Sequence, residues 1–177
     1  EIQLRLSETW IDEFEKESLN GSSDAERELA RRVFVALKED STKGQRLSRR
    51  MSIEALMPFV LPGNDAVEKP FNIVLLVNEM CASMCDIFAA TLKDNAMARV
   101  LGSKTMGAGG NVVNHYEAPN SHLTVRQTES LMLRKDGSYI ENNGIDPDIA
   151  VNVNLTTKEK YEPIRKKAFD LLTTESK

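Results

Sequence analysis

The sequence predicts an α/β fold, and three consecutive stretches carry that prediction. Asn72–Asn78 encloses the unbroken apolar run Ile-Val-Leu-Leu-Val, rich in β-branched residues, as expected of a strand buried on both faces. Residues 87–94, Ile-Phe-Ala-Ala-Thr-Leu-Lys-Asp, are good helix formers and place Ile87, Ala90, Thr91 and Asp94 at helical spacing. Ala98-Arg-Val-Leu-Gly102 reads as a second buried strand, so the three stretches make a strand–helix–strand crossover.

The chain before this unit is helical and charged. Residues 7–19 predict a helix capped by Ser7, with Trp10, Ile11 and Phe14 on one face, and Asn20-Gly-Ser-Ser23 ends it. Ser23 and Glu26 form a capping box, and Leu29, Val33, Phe34 and Leu37 then make an apolar stripe as far as Glu39. Residues 40–50 read as a loop, 53–59 as one or two helical turns and Leu61-Pro-Gly-Asn64 as a turn. The domain expectation is therefore a helical extension or insertion over 1–65, followed by an α/β body over 66–177.

After the crossover comes Ser103-Lys-Thr-Met-Gly-Ala-Gly-Gly110, a loop with three glycines in which no Gly-Lys-Ser/Thr closes a phosphate cradle. Residues 111–117 and 122–127 alternate. Ser130–Arg134 and Tyr139-Ile140, joined by Lys135-Asp-Gly-Ser138, predict a hairpin. Gly144-Ile-Asp-Pro-Asp148 is a turn, 149–153 a short strand, and 156–173 a helix with Thr156 and Glu159 as capping box and Ile164, Ala168, Leu171 and Leu172 inward. Pro163 signals a break or a late start in that helix.

Composition narrows the function classes. With 177 residues, 41% apolar, the chain is long enough for a real core. A net charge of −4, with Arg46, Arg49 and Arg50 as the only basic concentration, argues against a nucleic-acid partner. No apolar run reaches the roughly 18 residues of a membrane span. The start at Glu1 without a Met suggests a processed or excised piece of a longer protein. Cys81 and Cys85, the two cysteines, make no disulfide framework and no adequate metal-ligand set, and read as small half-buried thiols. No cofactor and no metal are expected.

The chemistry points to Ser83. Few residues separate the first strand from the helix, so Ser83 lies at a sharp turn beside the unpaired N–H groups of a helix start. Such N–H groups can hold the oxyanion formed when a serine attacks a carbonyl, with Met84 N–H as one donor. The same string also reads as a helix cap, with Ser83 capping and Asp86 completing a capping box or facing the helix dipole. Either cysteine as nucleophile would lack a histidine nearby in sequence.

Ser83-Met-Cys-Asp86, Leu92-Lys-Asp-Asn95, Ala98-Arg-Val-Leu-Gly102, Lys104-Thr-Met-Gly-Ala-Gly109 and Gly144-Ile-Asp-Pro-Asp148 follow one another at the spacings of a known family. Over about residues 70–155 the chain resembles the C-terminal processing, or tail-specific, serine peptidases of family S41. The resemblance implies a ClpP/crotonase-like α/β core, a polypeptide substrate and a secreted or periplasmic bacterial setting, and it leaves a homodimer open. In tail-specific members a general-base Lys stands on the glycine loop where this chain has Ala108, and Lys104 lies out of register. The resemblance is thus to the Ser-His-Glu branch, which includes the tricorn core protease and the chlamydial protease-like activity factor. It gives Ser83 as nucleophile and Glu141 as the acid that orients the histidine, with Met84, Gly107, Ala108, Gly109 and Gly110 forming the oxyanion and substrate loop. His115 and His122 match no family position, which implies that the histidine comes from an upstream part outside this chain. The alternative is a non-catalytic module on the same fold that binds peptides or hydrophobic ligands.

Overall fold

A computed structural model describes residues 1–53, 72–151 and 161–174. In chain order its elements are β1 (Ile2–Leu4), α1 (Glu8–Asn20), α2 (Asp24–Thr42), β2 (Val74–Val77), α3 (Met84–Asp94), β3 (Arg99–Gly102), β4 (Val112–Glu117), β5 (Thr124–Thr128), β6 (Ser130–Met132), β7 (Ile149–Ala150) and α4 (Glu162–Thr174). The chain is mixed α/β, as the sequence predicts. It divides into two compact units, Glu1–Gly63 with Gly110–Leu133, and Asn64–Gly109 with Arg134–Lys177. This division differs from a boundary at residue 65, because residues 110–133 leave the α/β body and join the N-terminal segment.

The reason lies in strand pairing within the first unit. β1 pairs antiparallel with β6, Ile2 opposite Met132, so the amino terminus is a strand rather than part of a helical extension. β6 is thereby taken from the hairpin expected at 130–140; of that hairpin the turn forms, closed by Arg134 N–H donating to Ser138 O at 2.8 Å. α1 and α2 start where capping chemistry places them: Ser7 Oγ accepts from Trp10 N–H, and Ser23 with Glu26 completes a reciprocal box. α2 continues to Thr42, three residues past the expected end, because Asp40 is buried on its inner face beside Ala30, Val33 and Leu37. The Asp40 carboxylate accepts from Arg49 Nε, Nη2 and backbone N–H. Those bonds hold Asp40 at a pKa of about 2, well below the usual carboxylate value. β4 and β5 pair antiparallel, with a register shift between Asn114 and Tyr116.

In the second unit β2, β3 and β7 form a parallel sheet in the order β2-β3-β7, and α3 is the crossover from β2 to β3. β3 is the central strand, with Val100 and Leu101 fully buried. β2 differs from expectation. It lies at the edge of the described sheet, so only Val77 is buried and Leu76 is 42% exposed. Gly102 ends β3 at φ +135°, and a Cβ there would lie 1.9 Å from Val77 O, so only glycine permits this approach of the two strands. α4 packs Ile164 and Ala168 on Leu101, joined by Val74, Ile149 and Leu171. It begins at Glu162 with Pro163 in its first turn, the late start that Pro163 signals. The helical turns expected at 53–59 (beyond Ile53), the turn at 61–64, the end of the 149–153 strand and the capping box of Thr156 with Glu159 lie outside the described residues. Among the described residues no helix is long and apolar enough to cross a membrane.

Candidate active site

Ser83 occupies the turn between β2 and α3 at φ 58°, ψ −122°. A helix-capping serine needs an extended backbone, as Ser7 (φ −121°, ψ 152°) and Ser23 (φ −134°, ψ 161°) have. With φ positive, the Ser83 hydroxyl makes no capping hydrogen bond. The capping-box reading of Ser83 and Asp86 is therefore corrected. A non-glycine residue in this region costs on the order of 1–3 kcal/mol and persists only where its surroundings enforce it. Here they do: Ser83 N–H donates to Ala108 O at 3.0 Å, and Ser83 O accepts from Ile87 N–H at 3.1 Å. The residue is exposed, and Met84, whose N–H opens α3 without an intrahelical acceptor, follows it.

Asp86 turns inward instead of capping. Its side chain is fully buried and accepts from Thr105 Oγ1, from Gly107 N–H at 3.0 Å and from Ala108 N–H at 3.0 Å. Two loop N–H groups are thus directed at Asp86, while the Met84 N–H remains with the helix start. The loop is pinned further by Met106 N–H on Cys81 O at 2.9 Å, and Thr105 Oγ1 also accepts from Ile145 N–H at 2.7 Å. Gly107 has φ +75°, and a Cβ there would sit 2.5 Å from Gly144 N; one on Gly109 would sit 2.9 Å from Ile140 Cγ2. Gly110, the last of the three glycines, falls in the other compact unit.

The Glu141 turn rests on the same loop. Asn142, at φ 61°, donates its N–H to Gly107 O at 2.8 Å, and Gly144 N–H donates to Ile140 O at 2.8 Å. Glu141 itself is half-buried. Consecutive loop carbonyls, those of Gly107 and Ala108, therefore hold the backbone beside Glu141 and that of Ser83.

Cys81 and Cys85 are corrected as well: they form a disulfide. The turn brings their Cα atoms to 5.2 Å, inside the range a bridge spans. Leu76, Met80, both cysteines, Tyr161 and Ile164 contribute to the wall of a cavity of about 510 Å³ in the same unit. Lys104 pairs with Asp146, Nζ to Oδ1 3.4 Å. His122, exposed at φ 54°, sets Nδ1 2.8 Å from Glu117 Oε1, and it lies with His115 in the other unit. Sequence reasoning missed the loop-anchoring role of Asp86 and the disulfide. The residues stand at regular spacing, Asp three residues after Ser83 and Cys two residues to either side, but that spacing equally suits a helix cap and two free thiols.

The family model described as Peptidase family S41 matches residues 10–151. The chain belongs to family S41. The match extends through α1 and α2, well before residue 70. A probable CtpA-like serine protease of Staphylococcus aureus is 40% identical over 91 residues, 50% of this chain and 18% of that relative. Among solved structures, mature CPAF complexed with lactacystin aligns at TM-score 0.65 and 23% identity, over 99% of this chain and 36% of its own. The tricorn protease aligns at TM-score 0.50 and 23% identity, over 59% of this chain and 10% of its own. These structural likenesses are ones of fold. The S41 chain thus spans less than a fifth of the curated relative and about a third of the CPAF chain.

Proposed function

We propose that this chain is the C-terminal catalytic part of a serine endopeptidase with a ClpP/crotonase-like core, acting on polypeptides through an acyl-enzyme. The observation that carries the reading is the Ser83 turn, a strained serine at a helix start whose hydroxyl is not engaged in capping. In the proposed reaction a histidine from a part of the protein outside this chain accepts the Ser83 proton as Oγ attacks the scissile carbonyl. Glu141 orients that imidazole and stabilises its charged form. Met84 N–H donates to the developing oxyanion, an interaction worth on the order of 3 kcal/mol. The imidazolium then protonates the departing amine, and water, deprotonated by the same histidine, releases the acyl group. Ala108 cannot serve as base, which favours the Ser-His-Glu arrangement over Ser-Lys. The disulfide supports a secreted or periplasmic setting, since such bridges persist in oxidising compartments.

The test is fluorophosphonate labelling of a longer form that contains the upstream part, followed by peptide mapping. The expected label is on Ser83, lost in Ser83→Ala together with proteolysis; activity surviving that substitution refutes the assignment. A second reading, a non-catalytic module for hydrophobic ligands or peptides, is favoured by the 510 Å³ cavity with its largely apolar wall. Ligand binding by a folded longer form in which Ser83 never labels would select it.

A further inference from the structure

We propose that the Cys81–Cys85 disulfide is a redox modification site, opened by dithiol reductants, whose closure holds the Ser83 turn in its reactive conformation. The functional consequence rests on the reading of Ser83 as nucleophile. The bridge closes a ring of five residues with Ser83 at its centre. Loop-closure entropy is smallest for so short a ring, so the bridge acts on the local turn far more than on global stability. Its two ends are unlike. Cys81 is buried, donates its N–H to Asn78 O at 3.0 Å and takes the Met106 N–H of the glycine loop on its carbonyl. Cys85 is exposed on the first turn of α3. The bridge therefore ties the first turn of α3 to the side of the turn that the glycine loop anchors, across a serine at φ 58° that relaxes to negative φ unless restrained.

The unequal exposure of the two cysteines sets the order of the exchange. A thiolate of the dithiol attacks the sulfur of Cys85, the exposed partner, the Cys81–Cys85 bond breaks, and Cys81 leaves as thiolate and takes up a proton. The second thiol of the reductant then attacks its own mixed-disulfide sulfur, and Cys85 leaves as a thiolate stabilised by the N-terminus of α3. Once the Cys85 thiolate takes a proton from solvent, the protein disulfide has gained two electrons and two protons, and the dithiol has become a disulfide.

The experiment uses the longer form, oxidised or treated with dithiothreitol, with three measurements on each sample: cysteine alkylation with peptide mapping, amide hydrogen exchange, and fluorophosphonate labelling. Both cysteines are expected to alkylate only after dithiothreitol. Amides of residues 82–87 then exchange at least tenfold faster, and Ser83 labels at least tenfold more slowly. The double variant Cys81→Ala/Cys85→Ala labels slowly with or without reductant. Free thiols in the oxidised sample, or unchanged exchange and labelling once the bridge is open, overturn the proposal. Faster exchange with no labelling in either state leaves the clamp standing and removes the nucleophile reading instead.

Discussion

Among the described residues three serines head helices, and backbone angles alone separate their roles. Ser7 and Ser23 are extended and cap; Ser83 is at positive φ and does not. The pattern Ser-x-x-Asp/Glu is the same string in either geometry, so the sequence locates Ser83 at the strand-to-helix turn but cannot choose between cap and nucleophile. Only tertiary structure shows that Asp86 is drawn inward by Thr105, Gly107 and Ala108. Replacing it leaves those buried donors unpaired, so Asp86→Ala is expected to cost on the order of 3 kcal/mol in denaturant unfolding. It should also slow Ser83 labelling of the longer form, whereas Asp86→Asn, which keeps an acceptor, should lose less of both. Gly107→Ala meets both a positive φ and the Gly144 backbone, and a similar loss, on the order of 3 kcal/mol, is expected by the same measurement. The disulfide escaped sequence reasoning because four-residue spacing also suits two side chains one turn apart on a helix; the Ser83 turn is what folds the cysteines together.

At the scale of elements, capping chemistry and apolar stripes made α1, α2, α3 and the β2–α3–β3 crossover legible. Partners were not legible. β6 carries no local mark that it pairs with β1, 126 or more residues away, and the apolar run of β2 does not reveal that it lies at the edge of the described sheet. The inner end of α2 has a pH signature. Asp40 has a folded pKa of about 2 against an ordinary 3.8, so its pairing with Arg49 contributes stability fully above about pH 4 and loses it as pH falls through about 2. Trp10, the single tryptophan, lies in the same unit and reports its unfolding by fluorescence. Arg49→Met is expected to lower stability at pH 7 by about 2 kcal/mol and to flatten the loss between pH 4 and 2. Asp148 shifts in the same direction in the other unit: burial raises its pKa, but the Val100 N–H and the Lys93 ammonium outweigh that and hold it low.

For the whole molecule, family membership was legible from five short motifs in register, while the extent of the match, back to residue 10, was not, since capped charged helices carry little family-specific pattern. The proposed division of the catalytic groups predicts that this chain by itself, though folded, does not turn over peptide substrates. Adding the upstream part, in one polypeptide or as a separate chain, should restore turnover, and changing that part's catalytic histidine to alanine should abolish it again; a peptidase assay on the combinations checks this. One consequence follows from the glycine loop. Ser83 and Asn142, beside Glu141, hang from the carbonyls of two adjacent residues although 59 positions separate them along the chain. The backbone of the proposed nucleophile and that beside the proposed orienting acid therefore share one support, like two instruments bolted to the same bench.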